Sequence, residues 1–396
     1  MTALVYDPYA YEVHEDPYPF YARLRDEAPV YRNDQLDIYA LSRHADVSAG
    51  LKDSKRLSNR DGVSIDPAAS GPMARLTASF LAMDPPDHGR LRTLVARAFT
   101  FRRVNELEPR IREIALAHLV PALELGSFDF IEKVAGTIPM DVISELMGVP
   151  AEDRDEVRGL ANLVVHREEG VQDVPPAAAE AALKLVVYYD GMVKQREAKR
   201  TDDLTSALID ASIDGERLTG QDLVAILFLM VVAGNETTTK LLGSCWYWAA
   251  QTPDAKAKVL AEPGAHLEGW IEETLRYDGS TQMLARTALE DIPLHGTVIP
   301  SDARVVLLTG SANRDPRAFT EPDVYDIERD TSQLVSFGAG RHFCIGAPLA
   351  RLEANIVLGE ALARIRDFDI EPSGVRRTHS INVRGLSTLP TKVVLR

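Results

Sequence analysis

One glycine-rich stretch decides how this sequence is interpreted: Phe337-Gly338-Ala339-Gly340-Arg341-His342-Phe343-Cys344-Ile345-Gly346. Glycine at 338 and 340 allows the backbone to turn and to approach a large flat object closely. A helical pattern follows from about Ile345, which places the sulfur of Cys344 at a helix N-terminus. There the helix dipole and the free amide donors favour thiolate over thiol, and thiolate is the form that binds iron.

Composition limits the other possibilities. The 396 residues are 45% hydrophobic, and no compositional break divides them, so we expect one domain over residues 1–396. The formal charge of −15 repels a phosphate backbone, which disfavours nucleic-acid binding. With only two cysteines the chain builds no disulfide framework, and Cys245 is expected to be an ordinary buried thiol.

The N-terminal residues favour a cytoplasmic protein. Residues 1–16 are rich in Tyr, Asp and Glu, with neither a basic n-region nor an apolar h-region, so no signal peptide or membrane anchor is expected. The most apolar run, residues 224–234, is shorter than the roughly 20 residues that a membrane-spanning helix needs. It is predicted to be a buried core helix.

Hydrophobic periodicity predicts a mainly α fold with small peripheral β-sheets. Helices are predicted over residues 16–28, 86–99, 104–125, 141–146 and 178–200. Strands are predicted over residues 37–42, 297–299, 304–308 and 391–395. No fixed-period repeat is present, which excludes a solenoid.

The longest predicted element is a central helix. Thr219 and Asp222 match a capping box, and the helical pattern continues to about Ala250. Such a helix spans roughly 45 Å and crosses the whole domain. Its middle carries Ala233-Gly234-Asn235-Glu236-Thr237-Thr238-Thr239, where Leu or Ala would favour helix more strongly. The residues at this point therefore have lower helix propensity than the rest of the helix requires.

The cysteine stretch resembles the haem-binding loop of the cytochrome P450 family, in the form typical of its soluble bacterial members. Three further segments resemble family motifs and follow the family's order. These are His88 with Arg92, which resemble the haem-propionate clamp; residues 233–238, which look like the oxygen-activating motif; and Glu273-Thr274-Leu275-Arg276, which resembles the Glu-x-x-Arg helix. The resemblance covers nearly the whole chain and implies heme b between the central helix and the cysteine loop.

The Glu-x-x-Arg segment has two interpretations. Taken alone, Glu273 and Arg276 would usually be a solvated helix pair worth some tenths of a kcal/mol. The family resemblance instead implies a buried ion pair that a downstream arginine completes, and Arg329 is the candidate. The position of the segment upstream of the cysteine loop favours the buried pair.

The resemblance also implies which residues hold the cofactor. Cys344 would bind the iron and Phe337 would shield its sulfur, while the loop glycines, including Gly338 and Gly346, allow close approach. The candidates for charge-assisted bonds to the two propionates are His88, Arg92, Arg286 and His342. An ordinary surface cation is the alternative for Arg286.

On the opposite side of the haem, the resemblance implies catalytic roles for Glu236 and Thr237. Ala233 and Gly234 would contact the cofactor, and Gly234 would open room for dioxygen. Thr237 would supply a hydrogen bond during oxygen activation, and Glu236 would relay protons from solvent. The alternative is that the Thr237 hydroxyl only bonds to the preceding turn and bends the helix.

The implied reaction inserts one atom of dioxygen into a substrate and releases the other as water. The chain has no Gly-x-Gly-x-x-Gly fingerprint, so a separate ferredoxin and ferredoxin reductase are expected to supply two electrons to a monomeric enzyme. A basic docking face near Cys344 is predicted from Arg97, Arg102, Arg103, Arg341 and Arg351. Ordinary solvated charge is the alternative for these arginines.

The resemblance places an apolar substrate pocket along several segments. The candidate lining residues are Phe80, Leu81, Leu229, Met230, Met283 and Leu284, with Ile65, Leu76, Leu163 and Val164 beside them. All of them could equally be helix core. A lipid, terpenoid or polyketide-like substrate fits such a pocket.

Two other classes of function remain open. A haem-thiolate protein could sense a ligand without turnover, and a helical protein could hold no haem. Glu236 and Thr237 count against the first class, and the full cysteine loop counts against the second.

Overall fold

The computed structural model describes residues 4–71, 74–165 and 174–396. It confirms the mainly α fold with small sheets. The helices are α1 (Tyr11–Glu15), α2 (Tyr18–Glu27), α3 (His44–Lys52), α4 (Ala74–Ala78), α5 (Asp87–Ala98), α6 (Phe101–Glu106), α7 (Glu108–Glu124), α8 (Ile138–Met147), α9 (Arg154–Val165), α10 (Pro176–Ala198), α11 (Leu204–Asp210), α12 (Gly220–Gln251), α13 (Pro253–Ala261), α14 (Pro263–Asp278), α15 (Thr309–Ala312) and α16 (Ala347–Arg364).

The strands are short and more numerous than the sequence predicts. They are β1 (Val30–Asn33), β2 (Ile38–Leu41), β3 (Leu57–Ser58), β4 (Ser127–Asp129), β5 (Ser212–Ile213), β6 (Glu216–Arg217), β7 (Leu284–Ala288), β8 (Ile292–Leu294), β9 (Thr297–Ile299), β10 (Arg304–Leu307), β11 (Ile365–Ile370), β12 (Arg376–Arg377), β13 (Leu386–Thr388) and β14 (Pro390–Leu395). Four of the unpredicted strands, β3, β5, β6 and β12, have only two residues and carry too little alternation to be recognised in a sequence.

The predicted helix over 104–125 is two helices in the structure. The first, α6, ends at Glu106, and α7 begins at Glu108 with Pro109 in its first turn. Proline has no backbone N–H and disfavours helical geometry in the residue before it, so a helix ends there more readily than it continues. The other four predicted helices coincide with α2, α5, α8 and α10.

Two of the sheets have more than two strands. The larger has the order β1-β2-β10-β7-β3, with β10 parallel to β2 and antiparallel to β7. Arg286 lies in β7 opposite Val305, so a central strand of this sheet carries it. The smaller sheet has the order β11-β14-β4.

The central helix α12 forms as predicted, with 32 residues and a complete capping box between Thr219 and Asp222. In the described part of the chain it is the single helix long and apolar enough to cross a membrane by length and composition. It packs against α8, α10, α14 and α16, so protein covers much of its apolar surface. Near its C-terminal end, the Trp246 ring stacks on Phe130 with ring centroids 4.6 Å apart.

Candidate active site

The cysteine loop folds back on itself. The Cys344 amide donates to the Phe337 carbonyl at 2.9 Å, and Gly338 and Gly340 adopt φ angles of 71° and 70°. A Cβ on Gly340 would lie 3.0 Å from the Cα of Lys52. The close approach that requires Gly340 is therefore to the end of α3, while the positive φ angles make both turns of the loop.

Two opposing effects act on the pKa of the Cys344 thiol. Burial raises the pKa of the thiol above its ordinary value, and the backbone amides of Gly346 and Ala347, which donate to the sulfur, together with the Arg92 cation, offset only part of that rise. Helix α16 begins at Ala347, two residues later than predicted. The sulfur thus lies at the helix N-terminus, where free amides stabilise a thiolate.

The Phe337 ring lies between the loop and α16. The Arg351 guanidinium stands 4.5 Å from the ring centroid and also forms an ion pair with Glu272 at 2.6 Å. Phe337 is thereby fixed by a cation–π contact in addition to packing. The ring of Phe343 lies 6.4 Å from that of Phe337.

The four predicted propionate partners form a cluster beside the loop. The His88 and His342 rings lie 3.9 Å apart, and Arg92 donates to the Phe343 carbonyl. Burial, followed by the charges of His88, Arg286 and Arg92, lowers the pKa of His342 to about 3. Arg286 is 2% exposed, which rules out the surface-cation alternative.

This cluster is short of negative charge. Both ring nitrogens of His342 and Nε2 of His88 are buried without a hydrogen-bond partner in the described structure. Burial, and then Arg304, lowers the pKa of Arg286 to about 10. Buried donors and cations carry a large desolvation cost unless an anion pairs with them. The residues present therefore fit a bound dianion such as the two propionates of haem.

A buried ion pair connects α14 to the segment before the cysteine loop. Arg276 donates to both Glu273 oxygens at 2.7 Å, and neither side chain is exposed to solvent. Arg329 approaches the same carboxylate at 3.4 Å. Glu273 also accepts from the backbone amide of Asp326 at 2.9 Å. The structure thus brings the three predicted residues together, with Glu273 and Arg276 buried and Arg329 half-buried.

From Arg276 the connection reaches the loop through Asn313. Arg276 donates to the Asn313 carbonyl at 2.9 Å. The Asn313 side chain accepts from the Val335 amide at 2.9 Å and donates to the Ser336 hydroxyl at 2.7 Å. Phe337 is the next residue along the chain, so the ion pair fixes the start of the cysteine loop.

In the middle of α12, the Thr237 hydroxyl donates to the Ala233 carbonyl at 2.8 Å. This is the bond to the preceding turn that the sequence offered as an alternative. Both residues also line a cavity, and the hydroxyl oxygen keeps its lone pairs for a second partner. The bond orients the hydroxyl without removing it from the cavity.

Gly234 lies where α12 packs against α8. A Cβ on Gly234 would lie 3.4 Å from Cγ1 of Ile143, a residue of α8. This distance is an ordinary van der Waals contact, so α8 leaves room for a Cβ at this position, and it is Ala233 that lines the cavity. A 3.6-residue repeat turns adjacent residues by about 100°, so the two cannot share one direction.

Sequence reasoning missed Lys240. Its ammonium lies 3.2 Å from Glu236 Oε2 and donates to the Leu386 carbonyl at 3.1 Å. The signal was present in the sequence, because a lysine four residues after an acid lies on the same face of a helix.

A cavity of about 1110 Å³ opens beside the central helix. Its predicted lining residues are Ile65, Leu81, Val164, Leu229, Met283 and Leu284. The lining also includes Ala182 and Val186 from α10 and residues 381–383 from the C-terminal segment. Asp190 is the one charged residue of the described lining, and it pairs with Lys194 at 2.6 Å.

Three candidate pocket residues lie outside this lining. Phe80 and Met230 are buried in the main core, and the Phe80 ring lies 6.4 Å from that of His88. Leu163 is instead exposed on α9. Apolar residues of a helix face the core or a cavity according to their neighbours, which the sequence does not reveal. The side chain of Leu76 falls outside the described residues.

The predicted basic face is smaller than expected. Arg102 pairs with Glu106 at 2.8 Å, Arg103 lies 3.9 Å from Asp202 and Arg351 pairs with Glu272 at 2.6 Å. Arg97 donates to the Ser212 carbonyl. Arg341 is exposed in the cysteine loop, near the backbone of Lys52 in α3.

The fold and the cysteine loop define a haem-thiolate oxidoreductase, and comparison with known proteins agrees. The cytochrome P450 family model matches residues 177–395. Cytochrome P450 123 of Mycobacterium tuberculosis is 52% identical over 394 residues, covering 99% of this chain and 98% of the relative. The chain therefore belongs to the cytochrome P450 family, whose members are haem-binding monooxygenases.

Solved structures show the same fold. The cytochrome P450 PksS of the Bacillus subtilis bacillaene polyketide synthase has a TM-score of 0.90 at 34% identity, covering 98% of this chain and 100% of that chain. CYP109E1 from Bacillus megaterium, in complex with testosterone, has a TM-score of 0.85 at 30% identity, and the match covers 95% of this chain and 99% of that chain.

Replacing Glu273 with glutamine should destabilise the protein strongly. The substitution leaves the buried cation of Arg276 without its carboxylate, and breaking a buried pair in this way costs about 3–5 kcal/mol. Denaturant unfolding measures the loss. Glu27→Gln is the matched control, because the Glu27 pair with Arg23 is exposed to solvent and its loss should leave the unfolding midpoint unchanged. Equal midpoints for both variants would contradict a structural role of the Glu273 pair.

Proposed function

We propose that this protein hydroxylates a mostly apolar small molecule, using dioxygen and two electrons from a separate ferredoxin and its reductase. The observation that carries the proposal is the cluster of His88, His342, Arg92 and Arg286 beside Cys344, in which three buried imidazole nitrogens have no hydrogen-bond partner in the described structure. Such a cluster has a physical purpose only when an anionic group occupies it. When bound there, haem supplies the iron at which dioxygen is activated.

The chain's own residues would hold this cofactor from two sides. Cys344 would bind the iron, and the amides of Gly346 and Ala347 would share the charge of its thiolate. His88, Arg92, Arg286 and His342 would pair with the propionates through charge-assisted bonds.

Glu236 and Thr237 would transfer protons between solvent and the cavity. The Glu236 side chain is 13% exposed, and Thr237 lines the cavity one residue later. An acid that exchanges protons with water and a hydroxyl that can pass them on together form a relay between solvent and the cavity. The Ala233 carbonyl orients that hydroxyl.

The cavity indicates the substrate class. Its walls are largely apolar, with polar groups limited to a few positions such as Ser64, Thr281 and Asn382. A pocket of this kind binds ligands mainly by burying apolar surface. The relatives that act in a polyketide synthase or bind testosterone support a lipid, terpenoid or polyketide-like molecule of comparable size.

The electron donor would dock at the cysteine loop. Arg341 is exposed there, and Phe343 beside it is 43% exposed. An arginine next to an exposed aromatic ring is a common centre of a protein interface. We propose that the whole chain acts as one monomeric catalytic unit in the cytoplasm, without a nucleic-acid partner.

The carbon monoxide difference spectrum of the reduced holoprotein tests the haem ligand. We expect the red-shifted Soret band that is typical of thiolate-ligated haem in the wild-type protein, and its loss in Cys344→Ser. Cys245→Ala is the matched control, because Cys245 is buried in the core and should leave the band in place. A band typical of histidine ligation in the wild-type protein would refute the assignment.

A bulky residue in the cavity should weaken substrate binding. Ala182→Phe places a ring among the lining residues of α10 and should lower the affinity for apolar ligands such as testosterone by about tenfold or more, since overpacking costs roughly 1–3 kcal/mol. Ligand titration monitored at the Soret band measures this affinity. Ala177→Phe makes the same change on an exposed position of the helix and should bind like the wild type. Equal affinities would place the substrate elsewhere.

Charge reversal at Arg341 should impair electron transfer from ferredoxin. Arg341→Glu should raise the KM for ferredoxin about tenfold at low salt and leave the haem spectrum unchanged. Arg366→Glu is the control, because Arg366 lies beyond the far end of α16, about 27 Å along that helix. If both variants retain the wild-type KM, the docking face lies elsewhere.

A further inference from the structure

Lys240 is a buried cation that the proposed chemistry does not yet use. Its side chain is 6% exposed, and its ammonium lies 3.2 Å from the Glu236 carboxylate. Within the described residues, no other carboxylate lies within ion-pair distance of Lys240 and no other cation within that distance of Glu236. A buried ammonium is costly without such partners, so the pair stabilises both charges.

The C-terminal segment completes the site around Lys240. The ammonium also donates to the Leu386 carbonyl at 3.1 Å. A Cβ on Gly385 would lie 2.6 Å from the Cβ of Lys240, so a glycine at 385 is what lets the lysine stem pass. Just before it, residues 381–383 line the cavity. Lys240 therefore joins the Glu236 carboxylate to the chain segment that borders the substrate.

Geometry shows how this affects the carboxylate. Glu236 has three side-chain torsions, and an ion pair with the residue four positions later directs its carboxylate along the helix toward that residue. The bond to Leu386 fixes the ammonium in turn. The carboxylate is thereby held in one place rather than distributed over several rotamers.

We propose that Lys240 is a positioning residue for proton delivery: it holds the Glu236 carboxylate, and its bond to Leu386 makes that position depend on the substrate-bordering segment. The inference rests on the proposed relay role of Glu236. The carboxylate gains a proton from solvent on one side and gives it up toward Thr237 on the other, so the ion pair is restored after each transfer.

Lys240→Met tests the proposal, because methionine keeps the apolar length and removes the charge. We expect product formation to slow about tenfold, which is less than the 10²–10⁴ that loss of a general acid costs. The solvent deuterium isotope effect should increase, and more of the reducing equivalents should appear as hydrogen peroxide. Ligand affinity should stay within about twofold of the wild type. Lys240→Arg keeps the cation and should recover most of the rate.

The control is Lys256→Met. Lys256 also donates to a backbone carbonyl, that of Phe368 at 2.9 Å, and lies 3.1 Å from Asp367. Because this lysine is at the C-terminal sheet, its replacement should change neither the isotope effect nor the peroxide yield.

A second readout does not depend on turnover. Thermal unfolding of the holoprotein should show Lys240→Met several degrees less stable, and adding Glu236→Gln should recover part of the loss because the buried charge is removed. If Glu236→Gln slows turnover but Lys240→Met does not, the positioning role is overturned and the proposed function stands. If Glu236→Gln itself leaves turnover and isotope effect unchanged, the relay role and the inference built on it both fail.

Discussion

The cysteine loop can exist only because a buried ion pair fixes the chain that leads into it. Glu273 and Arg276 form a two-bond ion pair in the interior, and the remaining donors of Arg276 bind backbone carbonyls of the segment that follows the large sheet. Removing charges from water is expensive, so such a pair is favourable only with every donor satisfied. Because the donors of Arg276 must all be satisfied, the backbone around Asn313 and Val335 is held in one conformation.

Beside the cysteine loop, basic side chains are clustered together. Two histidines and two arginines are brought together at the edge of the site, and burial lowers the pKa of each of them. In the protein alone, no anionic partner offsets the desolvation free energy of these groups. An anionic cofactor would remove it, so folding and cofactor binding are coupled: whatever pairs with the cluster stabilises the folded state by its own binding free energy.

Much of the site could be predicted from local sequence, and the failures have a common cause. Cys344, the Glu273 pair and the capped central helix are short patterns whose geometry is set within a few residues. The positions of Phe80 and Met230 in the core depend on what packs opposite them. Lys240 carries a local signal, since it follows Glu236 by four residues, but its second partner, Leu386, lies 146 residues away.

The sequence by itself determined the family and the mainly α class, and it predicted the iron ligand and the acid–threonine motif, since each is encoded in contiguous residues with characteristic spacing. Only the tertiary structure decided which apolar residues border the cavity and which charges are free. It also decided which group holds the Glu236 carboxylate. Those properties arise from contacts between segments far apart in the chain, where burial and the supply of partners, rather than residue type, set the energy of each side chain.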